Sequence, residues 1–306
     1  MLVIESKKVE ERVLKRIKPS KEEIEKSREI AKRLIKEIEK RGHEALLVGS
    51  VARDTFISGD KDIDVFFFFD PEASRAELER RGLEIGKAVL ADYNPKTHYA
   101  EHPYTKAVVE GYEVEVVPCY KIRTGKIISA VDRTPLHSEY VLKKLKGEHK
   151  DEVRLLKQFL KAFEGYGADA KVKGFSGYLC ELLIIANKSL DELLKNAAHD
   201  WKKKIVIDLE KSRESYDKFP EPLVVIDPVD ADRNVAAAVD RTILSKFIIK
   251  AREYLIKPSE EFFFPSKKPM DLKRLVKGRN LLVVSFKYPQ DVIEEIVWSQ
   301  LEKLTK

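Results

Sequence analysis

The chain has 306 residues, 43% of them hydrophobic and 36% charged, with a net charge of +6 at neutral pH. That length exceeds one ordinary core and implies two or three domains, while a Lys- and Glu-rich composition with two Cys and two Met suits a heat-adapted, reduced, cytoplasmic protein. A disulfide framework, a zinc site, an apolar signal core behind Met1 and a membrane span of about 18 apolar residues are all excluded as expectations.

In chain order, the charged stretch Glu5 to Lys18 carries no element signal. Residues 20–41 then read as an amphipathic helix: Ser20 before Lys21-Glu22-Glu23 is a capping pattern and Gly42 a stop. Its buried stripe would be Ile24, Ile30, Ala31, Leu34, Ile35 and Ile38. A short buried strand over 45–49 ends in a Gly49-Ser50 turn, with a helical turn near Val51. Asp62-Ile63-Asp64-Val65 and the run Phe66 to Phe69 form the next strand, short, apolar and β-rich. A helix over 78–92, a strand over 97–100 and a hairpin of 105–110 with 112–117 around Gly111 complete a mixed sheet with helices on one side. Helical spacing then dominates from about 136 to 252, over 152–163, 176–186, 190–200 and 241–255, interrupted by one extended segment at 223–226. A final unit would hold a helix over 272–277, a strand over 281–286 and a helix over 292–304. The expected division is 1–136, 137–257 and 258–306.

Two aspartates at i and i+2 of a strand share a face, and their mutual repulsion calls for a cation. A Gly-Ser turn just before them offers backbone N–H groups and a hydroxyl to a phosphate. Metal beside phosphate implies phosphoryl chemistry, and a third carboxylate should come from a neighbouring strand. Glu113 and Glu115 share one face of Tyr112–Val117, and spacing does not choose between them. Residues 250–279 carry nine Lys or Arg against four Asp or Glu, a place for a polyanion or simply a solvated surface. Trp201 before Lys202-Lys203-Lys204 could stack on RNA, or the lysines could cap a helix end.

The string Gly49-Ser50-x-Ala52-Arg53, Asp62-x-Asp64-Val65 and Val114-Glu115-Val116-Val117-Pro118-Cys119-Tyr120 resembles the nucleotidyltransferase superfamily that includes DNA polymerase β. With the stretches 81–90, 99–104, 129–135, 152–157, 174–183, 227–230 and 233–237, it resembles more narrowly the archaeal (class I) CCA-adding enzymes, over residues 20 to about 300. The resemblance implies an α+β fold: a polymerase β-like head with a mixed sheet, a helical central domain and a partial α/β C-terminal unit that faces RNA. It implies tRNA, CTP and ATP as substrates and two Mg²⁺ ions held by Asp62, Asp64 and Glu115. Ser50 and Arg53 would hold triphosphate, and His137, Lys157 and Tyr166 would contact the incoming nucleotide. Arg233 with Asn234 would lie near the base, and Glu101 and His102 near the RNA 3′ end. A homodimer is compatible with such a chain.

The sequence departs from that family twice. Its third carboxylate is Glu115 where the family usually has Asp, and family members carry a longer C-terminal region than one ending at Lys306. Two other readings stand beside CCA addition: a poly(A)- or oligoadenylate-type polymerase, and a tRNA-binding relative without catalysis. By its residues alone His137 is a surface residue of a linker after Pro135, Lys157 a solvated helix lysine and Tyr166 a turn-packing side chain.

Overall fold

The computed structural model describes residues 2–99, 101–122, 126–266, 287 and 294–304. The expected elements at 272–277 and 281–286 lie outside the described residues; Glu294–Leu304 is helical as expected.

Five strands form the first sheet: β1 (Ala45–Val48), β2 (Asp62–Phe69), β3 (Lys96–Tyr99), β4 (Pro103–Val109) and β5 (Tyr112–Tyr120), in the order β1-β2-β5-β4-β3. Only the β2–β5 pair is parallel, so the sheet is mixed. Two helices, α2 (Lys21–Glu39) and α4 (Arg75–Val89), cover one face. Ser20 caps α2 by accepting from the Glu23 N–H, and Ser74 caps α4 by accepting from the Glu77 N–H, which starts α4 three residues before the expected Leu78. The side of α4 turned to the sheet is Leu78, Gly82, Gly86 and Val89, with Ile85 half-buried against the same core. Helix and sheet approach so closely that a Cβ on Gly82 would lie 2.6 Å from Pro118 Cγ and one on Gly86 2.5 Å from Thr105 Oγ1. Along β2, Ile63, Val65, Phe67 and Phe69 face these helices, while Phe66 pairs with Val48, Val117 and Cys119 on the other face. A strand covered on both sides accounts for four consecutive phenylalanines.

The second core gathers α5 (Arg133–Lys144), α6 (His149–Lys161), α7 (Gly177–Asn187), α8 (Leu190–His199) and α9 (Arg241–Ile256). Into it also packs α1 (Leu2–Ile17) through Val9, Val13 and Ile17, an element with no sequence signal strong enough to read among its charges. Phe159 anchors an aromatic cluster with Phe247, Tyr254, Phe262 and Phe263, and Arg16 stacks 3.5 Å from the Phe264 centroid. The second phenylalanine run is thus mostly core. This region is not purely helical: β6 (Ile205–Ile207), β7 (Leu223–Asp227) and β8 (Asp230–Asn234) form a small sheet in the order β6-β7-β8. Only β7 carries the apolar run that marks a buried strand; β8, Asp-Ala-Asp-Arg-Asn, is polar at almost every position.

Candidate active site

The register of β2 on β5 sets the acidic face. Asp62 lies opposite Glu113 and Asp64 opposite Glu115, all four on the sheet face away from α2 and α4. From β4, Lys106 lies opposite Glu115 and its Nζ meets Glu113 Oε2 at 2.7 Å and Glu115 Oε1 at 3.3 Å. Tyr104 OH donates to Glu115 Oε1 at 3.4 Å. Burial, and next the charge of Glu115, push the Asp64 carboxyl up to about 7; burial and Glu113 raise Asp62 as well. Burial opposes the charge on Lys106, yet the two glutamates hold it above the ordinary lysine range.

Lys106 therefore offsets the glutamates, and no ion pair reaches Asp62 or Asp64 among the described residues. A destabilised pair of carboxylates offering only oxygen fits a hard divalent cation. The fit is one of register and donor chemistry. Among the described residues no three carboxylate, imidazole or thiol groups already converge into a closed cation cage. Glu115 would have to exchange Lys106 for the ion.

The turn before β2 is built against this pair. Gly49 has φ +72°, and a Cβ there would lie 1.9 Å from Asp64 Oδ2. It opens the short helix α3 (Gly49–Arg53), which carries Ser50, half-buried, and Arg53, buried. Arg53 points into the seam with the second core: its Nε donates to Glu181 Oε1 at 2.9 Å and its Nη1 to Ser138 Oγ at 2.8 Å. Its charge opposes the rise at Asp64 and adds to the fall that burial causes at His137, so these groups share one electrostatic neighbourhood.

The seam is stitched by α6. Arg154, buried, donates to Phe56 O at 2.9 Å, Asp54 O at 2.8 Å, Asp151 Oδ1 at 2.6 Å and Asp54 Oδ1. Lys157 donates to Thr55 O at 2.9 Å; it is wholly buried, not solvated, and burial lowers its pKa. Tyr166 OH and Lys157 Nζ both approach Gly177, and Asp62 is among the charges acting on Tyr166. Residues 53–56 are thus held from the second core while they follow the Gly49 turn.

His137 lies in α5 rather than a linker, and it is buried rather than on the surface. Its Nε2 meets Asp227 Oδ2 at 2.8 Å, and its ring stacks on Tyr178 with centroids 3.9 Å apart. Burial lowers its pKa while Asp227 pulls it back up. Arg233 Nη1 donates to the same Asp227 Oδ2 at 2.8 Å. Asn234 is used internally: Oδ1 accepts from Val225 N and Ala236 N, both at 2.9 Å, and Nδ2 donates to Leu223 O at 3.0 Å.

Glu101 and His102 precede β4. The Glu101 carboxylate accepts from Ala130 N, and His102 is buried with neither ring nitrogen in a well-formed hydrogen bond among the described residues. Burial lowers the His102 pKa. Nothing in the described contacts joins these two to Asp62 or Asp64. Trp201 is not an RNA-stacking surface: it is 7% exposed and packs on Phe247, 5.6 Å between centroids. Sequence reasoning missed Lys106, Glu181, Tyr178 and Asp227 as site residues. Lys106 was findable, since a hairpin around Gly111 puts it on the glutamate face; the others depend on tertiary packing.

Residues 24–137 match the family described as nucleotidyltransferase domain, and residues 151–264 the one described as tRNA nucleotidyltransferase, second domain. The CCA-adding enzyme of Archaeoglobus fulgidus is 44% identical over 302 residues, covering 97% of this chain and 68% of the relative. That of Methanocaldococcus jannaschii is 44% identical over 333 residues, covering 100% and 72%. In structure, Cid1 poly(U) polymerase superposes with a TM-score of 0.66 over 86% of this chain and 99% of its own, at 14% identity, a likeness of fold alone. Among the described residues no helix is long and apolar enough to cross a membrane. With nucleotidyltransferase families matching both cores and such identity across nearly its whole length, this chain belongs to the CCA-adding enzyme family.

Proposed function

We propose that the chain adds C, C and A to the 3′ end of tRNA from CTP and ATP in the cytoplasm, releasing pyrophosphate. The observation that carries this reading is the parallel register of Asp62–Asp64 with Glu115 beside the Gly49–Ser50 turn, in a chain of this family.

Asp62, Asp64 and Glu115 would hold two Mg²⁺ ions, with Lys106 giving up Glu115. When bound, such ions lower the pKa of an attacking hydroxyl and neutralise the triphosphate. The chain's own part is to orient. Ser50 and the adjoining backbone would receive the triphosphate, and Arg53 and Lys157 would add positive charge from the seam in a medium where charge acts strongly. His137 would join them at the triphosphate, and Tyr166 would contact the nucleotide, both from the second core. Arg233, whose side chain is 37% exposed, would reach the base. Asn234 would serve by fixing the β7–β8 turn beneath it, and Glu101 and His102 would border the RNA 3′ end. Residues 258–306 would belong to an RNA-facing unit.

The test is incubation with Mg²⁺ and tRNA ending at the discriminator base, with CTP and ATP singly and together. Defined C-C-A products support the reading. Untemplated A runs indicate a poly(A)-type enzyme, and binding of tRNA without incorporation a non-catalytic relative; either overturns it.

A further inference from the structure

Asp227 ends β7 with no exposed surface. Its Oδ2 accepts from His137 Nε2 and from Arg233 Nη1, each at 2.8 Å. Its Oδ1 accepts from Tyr178 OH at 3.2 Å and from the Val229 N–H at 3.1 Å. Side chains from α5, α7 and β8 thus meet on one carboxylate. Burial works to protonate Asp227, but His137 and its other donors keep the carboxyl below the usual aspartate range. It is held as an anion by protein alone, with no face left for a ligand.

The reading of the site given above puts His137 at the phosphate side of the nucleotide and Arg233 at the base. Both are fixed by the same oxygen atom. The geometry points to Asp227 as a positioning residue that couples triphosphate binding to base selection. This inference rests on that reading of His137 and Arg233. Because a single acceptor sets the angle of the imidazole and of the guanidinium, neither can turn without altering the bond of the other. Inside a low-dielectric site such shared bonds couple strongly. An amide in place of the carboxylate would present an NH₂ group to donors that need an acceptor, releasing the two residues together.

The experiment is a set of equilibrium binding measurements with CTP and with ATP, without tRNA, on the full chain. The variants are Asp227→Asn, His137→Ala, Arg233→Ala and their pairwise combinations. Asp227→Asn is expected to weaken both nucleotides about tenfold or more, as loss of charge-assisted bonds does. His137→Ala should then cost less than about threefold in the Asp227→Asn background, against about tenfold alone, because the pair is coupled. It should also change the ratio of CTP to ATP affinity although it lies away from the base. Additive effects throughout, or Asp227→Asn melting earlier yet binding both nucleotides as the parent does, would overturn the proposal. Should Asp227→Asn fail to fold, the His137→Ala and Arg233→Ala cycle decides: additivity overturns, non-additivity supports. A chain that binds nucleotide with this coupling but adds nothing to tRNA would remove the proposed reaction and leave Asp227's role standing. A chain that binds neither nucleotide removes both.

Discussion

Gly49 and Asp64 are in such close contact that no side chain fits between them: a Cβ would stand 1.9 Å from the carboxylate oxygen. With φ at +72°, the turn also needs a residue free to adopt the left-handed region. Gly49→Ala must displace Asp64 or the turn. The expected outcome is loss of nucleotide incorporation by about a hundredfold or more, since small misplacements of reacting groups are costly. Stability should fall by about 1–3 kcal/mol. Incorporation assays and thermal melting read the two effects. An alanine variant as active as the parent would show that Asp64 does not need its present place.

The register separates two glutamates that spacing left equivalent. Glu115 lies opposite Asp64 and is half-buried, whereas Glu113 lies opposite Asp62 and is exposed. Glu115→Gln should lower incorporation by about a hundredfold or more, while Glu113→Gln stays within about threefold. Glu115→Asp, which keeps a carboxylate one methylene shorter, should keep most activity. Single-turnover kinetics at saturating Mg²⁺ would measure all three, and a larger loss at Glu113 would reverse the assignment.

Asp64 also gives the cation-free protein a pH dependence. Its carboxyl titrates at about 7 when folded against an ordinary 3.8, so between these values the folded state holds the extra proton. Stability contributed by that proton is present at the acid end and is lost as pH rises through the window. With a chelator present, the melting temperature should therefore fall more steeply with pH in the parent than in Asp64→Asn. Added Mg²⁺ should flatten the parent's slope. Identical slopes in parent and variant, followed by calorimetry, would remove Asp64 as the source.

Arg154 joins the two cores by bonds to Phe56 O, Asp54 O and the Asp54 carboxylate, and is braced by Asp151 of its own helix. Arg154→Met would leave buried acceptors without a donor and should cost about 3–5 kcal/mol. Lys150→Ala, which removes an outer 3.3 Å bond to Asp54, should cost less than about 1 kcal/mol. Urea denaturation separates these values, and equal costs would show the arginine to be dispensable.

Much of this molecule was legible in its sequence because capping residues and apolar spacing are local. Ser20 marks a helix start that the structure keeps, the spacing at 176–186 and 241–255 foretold α7 and α9, and the alternation in β2 and β5 put the acidic residues on one face. What escaped depends on partners distant in sequence. Val9, Val13 and Ile17 recur every four residues but are diluted by charge, so α1 emerges only against α6. The strand β8 is polar because its side chains form a hydrogen-bonded turn with β7 rather than a core. His137 and Lys157, read alone, belong on the surface; buried acceptors at Asp227 and Thr55 take them inside. Glu181 looks like an error in an apolar helix until Arg53 and Thr55 arrive from the other core.

Because α1 packs in the second core and α2 in the first, the polypeptide passes from one body to the other before residue 21 and returns before α5. These two covalent crossings, with the Ser58 N–H also bonded to Ile17 O at 2.7 Å, tie the bodies at the seam that Arg53, Arg154 and Lys157 already stitch. Cutting the backbone between α1 and α2 would therefore remove one of two covalent ties and leave the buried bonds of Arg53, Arg154 and Lys157 to hold the bodies together.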